Sequence, residues 1–173
     1  MADTIRTIAL AVCHDGRGRI LVERGYDRVK GERFLRPIGG GVEFGERAVD
    51  ALVREWREEF GLSLESPRLL GVVESLFTCD GRAGHEVVFV FAARVADAWA
   101  YEREEITSSE PGGLRHEALW VPLEELRSGT IRFVPAGLLD LVPSIPPPPL
   151  DQVETEAGSF LIRFTFGHTE SGG

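Results

Sequence analysis

Residues 37–62 read "PIGGGVEFGERAVDALVREWREEFGL", and this stretch decides how the rest of the chain is read. Gly39, Gly40 and Gly41 run into a helical pattern starting near Gly45, and Gly61 is placed to end it. A helix advances roughly 100° per residue. On that wheel Val49, Leu52, Val53, Trp56 and Phe60 form one apolar stripe. Glu55, Glu58 and Glu59 share a separate arc, with Glu55 beside both of the others. Like charges so placed repel, so the group costs stability unless a cation sits among them. Oxygen-rich clusters suit hard cations such as Mg2+ or Mn2+. The plain alternative is a solvated acidic face balanced by Arg47, Arg54 and Arg57, with Arg54 paired to Glu58 at i,i+4. The glycines weigh against it, because they permit tight backbone and close approach to a ligand. They do not make a nucleotide-phosphate cradle. G-x-x-x-x-G-K-[ST] meets Glu46 where lysine is required, and G-x-G-x-x-G meets Phe44 where glycine is required.

Outward from the helix, "TIRTIALAVCHD" and "GRILVERG" read as two strands about an Asp15-Gly16 turn, a hairpin pattern. Residues 24–36 read as a cationic loop with Arg24, Arg28, Lys30, Arg33 and Arg36. "RLLGVVESLFTC" and "HEVVFVFAARV" read as strands around the turn "DGRAG". Residues 97–117, polar and acidic, read as a long loop. "EALWVPLEELRSG" reads as a strand and a short helix, with Pro122 near the helix start and Gly129 past its end. "FVPAGLLDLV" closes the domain as a helix or turn. Strands mixed with few helices indicate α/β or α+β, with a domain over residues 1–143. Residues 144–173 carry the stiff linker "PSIPPPPL" and then "SFLIRFTF", a strand pattern suited to covering a sheet edge in its own chain or a second copy. A homodimer is therefore open.

Gly40, Glu46 and the run Arg54 to Leu62 resemble the Nudix box, G-x5-E-x7-R-E-U-x-E-E-x-G-U. All seven fixed polar or glycine positions are filled across 23 residues. Trp56 departs, standing where the family has an aliphatic residue; its place in the apolar stripe predicts altered packing, not lost chemistry. The flanking strands and "LWVPLEEL" also resemble the family, and the tail does not. The resemblance implies an α/β/α sandwich around a mixed sheet, and metal-dependent hydrolysis of nucleoside diphosphates linked to another group. It implies Glu55, Glu58 and Glu59 as metal carboxylates, joined by the Gly40 carbonyl. Arg54 would orient them, and Glu46 would brace the loop. It implies Mg2+, with Mn2+ as the alternative. The general base varies in the family; Glu55, Glu102, Glu104, Glu105, Glu110 and Glu117 are candidates. Glu117 also fits as an added metal ligand, since many relatives carry an acidic residue there. Nucleotide sugars such as ADP-ribose, nucleoside triphosphates and dinucleoside polyphosphates all remain open as substrates. A nucleotide-sensing domain without catalysis and an isopentenyl-diphosphate isomerase are the rival readings.

Composition bounds these readings. A net charge of −9 and a pI of about 5.0 argue against duplex nucleic acid bound through a basic surface. Arg24 and Arg36 are the candidate contacts for substrate phosphates. No apolar run approaches a membrane span and no secretory leader is visible, so a cytoplasmic setting is expected. Cys13 and Cys79, the only cysteines, make no disulfide framework. "HEVVF" and "HEALW" each lack the second histidine of a zinc protease motif. Trp99 and Tyr101 suit packing better than stacking on a base.

Overall fold

In "IRTIALAVC" apolar residues occupy every inward position on both faces of a strand, which suits the centre of a covered sheet. The computed structural model describes residues 4–109 and 115–142, and the backbone of 162–164. The strands are β1 (Ile5–Cys13), β2 (Arg19–Asp27), β3 (Glu32–Gly41), β4 (Leu64–Cys79), β5 (Arg82–Val95), β6 (Glu105–Ser109), β7 (Arg115–Pro122) and β8 (Ile162–Phe164). The α-helices are α1 (Ala48–Phe60) and α2 (Leu123–Arg127), and 3-10 turns lie at Ala98–Glu102 and Leu138–Leu141. One mixed sheet has the order β6-β7-β2-β3-β1-β5-β4-β8. β1 runs parallel to β5 and β8 parallel to β4; the other pairs are antiparallel.

Side chains alternate across a strand, so β1 feeds two cores. Ala9, Ala11 and Cys13 join Leu21, Ile38 and Trp120 under Leu52, Trp56 and Phe60 of α1. Ile8, Leu10 and Val12 join Ile20, Val22, Val88 and Val90 under Leu123 and Leu126 of α2 and Leu138. Helical segments thus cover both faces, as in an α/β/α sandwich.

Three expectations need correction. β1 and β2 do not form a hairpin: β3 lies between them, and beyond the His14–Ile20 bridge they part. The Asp15-Gly16 turn is real, but β1 gains more by burying both faces between β3 and β5. Residues 24–36 are not a loop; β2 and β3 pair through them from Arg24–Leu35 to Asp27–Glu32, so the turn is only residues 28–31. Asp27 sets that turn by accepting from the Val29 and Lys30 N–H groups. Residues 97–117 also hold the edge strand β6, whose polar side chains, Glu105 among them, are tolerated because an edge is solvated. α1 starts at Ala48, three residues after Gly45, whose φ of +86° lies in the left-handed region. The linker "PSIPPPPL" lies outside the described residues; of "SFLIRFTF", only the backbone of β8 is described, paired to Val72–Glu74.

Candidate active site

Two clamps fix α1 over the sheet. At its end Gly61, with φ +65°, donates to the Arg57 carbonyl while the Leu62 N–H reaches the Trp56 carbonyl, closing the helix with a left-handed cap. In its middle Trp56 is fully buried, and its indole N–H donates to the Ile38 carbonyl at 3.1 Å. Ile38 immediately precedes the glycines. An aliphatic side chain could fill the space but could not make this bond, so Trp56 ties the helix to the glycine strand. Ala9 and Ala11, both small, share its cluster. Val49 and Val53, expected in the buried stripe, are only half-buried, and Ala51 and Glu59 are buried in their stead. The helix is rotated toward its acidic side, which carries Glu59 inward.

The carboxylates accordingly fall into two groups. The outer one gathers on Arg54. Its Nε and Nη2 donate to the two oxygens of Glu46 at 2.9 and 3.0 Å. Its Nη1 donates to Glu55 at 2.9 Å and to Glu58 at 3.0 Å, and Nη2 also reaches the Gly41 carbonyl at 2.9 Å. Glu46 in turn accepts from the Glu43 N–H. One guanidinium therefore joins three carboxylates and the glycine strand, a use its planar fork of donors suits. The Glu46 hydrogen bonds, helped by Glu55 and Glu58, raise the Arg54 pKa against burial, and Arg54 holds Glu46 below the usual carboxylate range. The Glu55 carboxylate lies directly against Gly40: a Cβ there would collide with it. A Cβ on Gly39, whose φ is +142°, would collide with the Ala9 carbonyl.

The inner group forms around Glu59, which is only 8% exposed. Period-two alternation puts Glu23 on the α1 face of β2 with Leu21, Arg36 on that face of β3 with Ile38, and His116 on that face of β7 with Ala118 and Trp120. Glu23 and Arg36 are register partners. Arg36 Nε donates to Glu23 Oε2 at 3.0 Å, and Arg36 Nη2 to the Gly39 carbonyl at 3.1 Å. His116 Nδ1 lies 2.9 Å from Glu23 Oε1, and the Phe60 ring meets the His116 ring edge to face at 5.5 Å. Burial works against the Arg36 charge, yet Glu23 and Glu59 raise its pKa. Glu59 Oε2 is buried and has no hydrogen-bond partner. Burial, then the Glu23 charge, push Glu59 up to about 7 despite Arg36 and His116. Glu23 and His116 were not singled out as site residues from sequence. The signal was there for Glu23: a carboxylate in phase with Leu21 on an inward strand face.

Other sequence candidates lie elsewhere. Arg24 and Glu117 share the opposite sheet face, in phase with Val22 and with Leu119. They pair with each other at 3.3 Å; Arg24 also holds Glu105 at 2.8 Å, and Arg115 holds Glu117 at 3.3 Å. Glu104 pairs with Arg19, Glu102 is exposed, and Glu110 lies outside the described residues. Tyr101 stacks on Trp120 and bonds the Val95 backbone, whereas Trp99 is half-exposed beneath Arg103. Both cysteines are free; burial raises the thiol pKa of each.

The NUDIX domain family model matches residues 4–142. An uncharacterized Nudix hydrolase of Bacillus subtilis (strain 168), YvcI, is 34% identical over 77 residues. That alignment spans 44% of this chain and 46% of YvcI, so the chain covers about half the length of this curated relative. Among solved structures, a MutT NUDIX hydrolase from Burkholderia pseudomallei superposes with a TM-score of 0.50 at 29% identity, over 70% of this chain and 86% of that one. A NUDIX hydrolase from Nitrosomonas europaea superposes with a TM-score of 0.57 at 20% identity, over 90% and 100% of the two chains.

Proposed function

This chain belongs to the Nudix family, and from that premise we propose that it hydrolyses a phosphoanhydride in a nucleoside diphosphate linked to another group, by attack of water on phosphorus with a divalent metal bound. The observation that carries this reading is the Arg54 cluster, which holds Glu46, Glu55 and Glu58 together beside the glycine backbone.

The residues fit a cation. Glu59 Oε2 is a buried acceptor with no donor, and the bare Cα of Gly40 is what lets Glu55 close on the backbone. Glu55, Glu58, Glu59 and the Gly40 carbonyl would hold Mg2+ or Mn2+, which neutralises anhydride oxygens and makes bound water more acidic. Arg54 keeps three carboxylates in register that would otherwise repel. Glu46 ties the loop over residues 42–47 to the helix through Arg54 and the Glu43 N–H. Glu55, pinned between Arg54 and Gly40, is the carboxylate we assign to take the proton from the attacking water. Arg36, joined to Glu23 and the Gly39 carbonyl, serves the site by bracing the strand.

The nucleotide-sensing alternative predicts eroded box carboxylates, whereas all are present and engaged or buried. The isomerase alternative needs an activated cysteine, and both thiols are shifted the opposite way. The test is a panel of nucleotide sugars, nucleoside triphosphates and dinucleoside polyphosphates with Mg2+ or Mn2+, products identified by mass. Oxygen-18 water locates the attacked phosphorus by label in one product. Metal-dependent turnover of one class supports the reading; none with any class overturns it.

A further inference from the structure

We propose that Glu59, His116 and Glu23 form a second cation site, set deeper than the Arg54 cluster, which takes a divalent transition metal through an imidazole nitrogen and carboxylate oxygens. The three side chains come from α1, β7 and β2, and one potential ligand atom of each lies within 4.8 Å of the others. All three are buried, at 6–8% exposure.

Charge balance points to a cation. Ionised Glu23 and Glu59 carry two negative charges, and Arg36 is the guanidinium facing them. Arg36 bonds Glu23, leaving Glu59 with a buried oxygen that accepts nothing. A buried acceptor without a donor costs on the order of 1–3 kcal/mol, and more when charged. Histidine chemistry points to the kind of cation. His116 Nδ1 and Glu23 Oε1 lie 2.9 Å apart, a spacing that two ligands of one ion share when the neutral imidazole keeps its proton on Nε2. A nitrogen donor favours Mn2+, Co2+ or Zn2+ over Mg2+. The Phe60 ring walls the pocket on the histidine side.

The inference deepens the proposed function by giving Glu59 partners of its own, and its test needs no turnover. Mn2+ is titrated into the full chain and read by electron paramagnetic resonance, with electron spin echo modulation reporting directly bound nitrogen. Wild type is compared with the Glu55→Gln/Glu58→Gln pair, which removes two outer carboxylates and none of the inner ones. Expected is nitrogen modulation in both, altered by 15N-histidine labelling and unchanged in His85→Gln. His116→Gln should abolish it and weaken Mn2+ roughly ten- to hundredfold. Even if His116→Gln fails to fold, a labelled wild type whose modulation is unchanged by 15N-histidine overturns the site. Loss of all Mn2+ in the double variant, bound Mn2+ without nitrogen modulation, or equal competition by Mg2+ would each overturn the site. Failure of the substrate panel with the modulation intact would sink the hydrolytic reading and leave this one standing.

Discussion

The Arg54 cluster and the Glu59 pocket lie on one helix, yet they solve the same problem in opposite ways. Around Arg54, one guanidinium partly exposed to solvent donates to Glu46, Glu55 and Glu58, and every bond runs within residues 41–58. Around Glu59, the carboxylate is buried among groups from β2, β3 and β7, and one of its oxygens has no donor. Each carboxylate of the first cluster has a hydrogen-bond donor; in the second, the buried oxygen of Glu59 has none. A carboxylate held by a surface cation can be offered to a substrate and taken back. One held in a dry pocket is tuned by whatever shares the pocket.

The comparison breaks most visibly through activity. Glu58→Gln, and separately Glu55→Gln, should lower kcat by roughly a hundredfold or more while the melting temperature stays put, if charge at this site is what stabilises the transition state. Retained turnover in a folded Glu58→Gln protein would remove Glu58 from the chemistry. Next in size is the removal of the shared cation. Arg54→Ala leaves three carboxylates crowded together, and a loss of about 2–4 kcal/mol in denaturant melts is expected for breaking a partly buried charged network, with Mg2+ restoring part of it.

The Glu59 pocket is sharpened by pH. Its folded pKa, about 7, lies above the unfolded 4.5, so the native chain holds the extra proton between those values. Stability from this group is therefore present at low pH and lost as pH rises from 4.5 to about 7. With chelator present, Glu59→Gln should flatten that slope and exceed wild type at pH 8 by about 1–3 kcal/mol, with no difference at pH 4. An unchanged slope would show that Glu59 is already balanced. Trp56→Phe keeps the ring but loses the bond to Ile38, and should cost about 1–2 kcal/mol. Arg24→Ala should do least: its ion pairs are exposed, worth at most about 1 kcal/mol, and lie on the other sheet face, so kcat should hold.

The outer cluster was legible in the chain because helical spacing sets it. Residues three and four apart must be neighbours, so Arg54, Glu55 and Glu58 could be grouped without a fold. The mixed fold was legible too, from strand patterns and the box. The strand order was not: the Asp15-Gly16 turn predicted a hairpin locally, whereas β1 earned its central place by burying both faces. Trp56 was the departure that sequence left unexplained, because the carbonyl it binds lies 18 residues away.

By itself, then, the sequence determined the helix, its glycine cap at Gly61, its carboxylates and the guanidinium that serves them, since all rest on local geometry and a fixed helical period. Only the tertiary structure decided that Glu59 turns inward while Glu55 and Glu58 do not. That outcome depends on a sheet whose register sets Glu23 opposite Arg36 and whose third strand delivers His116, 93 residues from Glu23, to the same face. Such pairings are settled by which faces can be buried together, and no spacing along the chain encodes them.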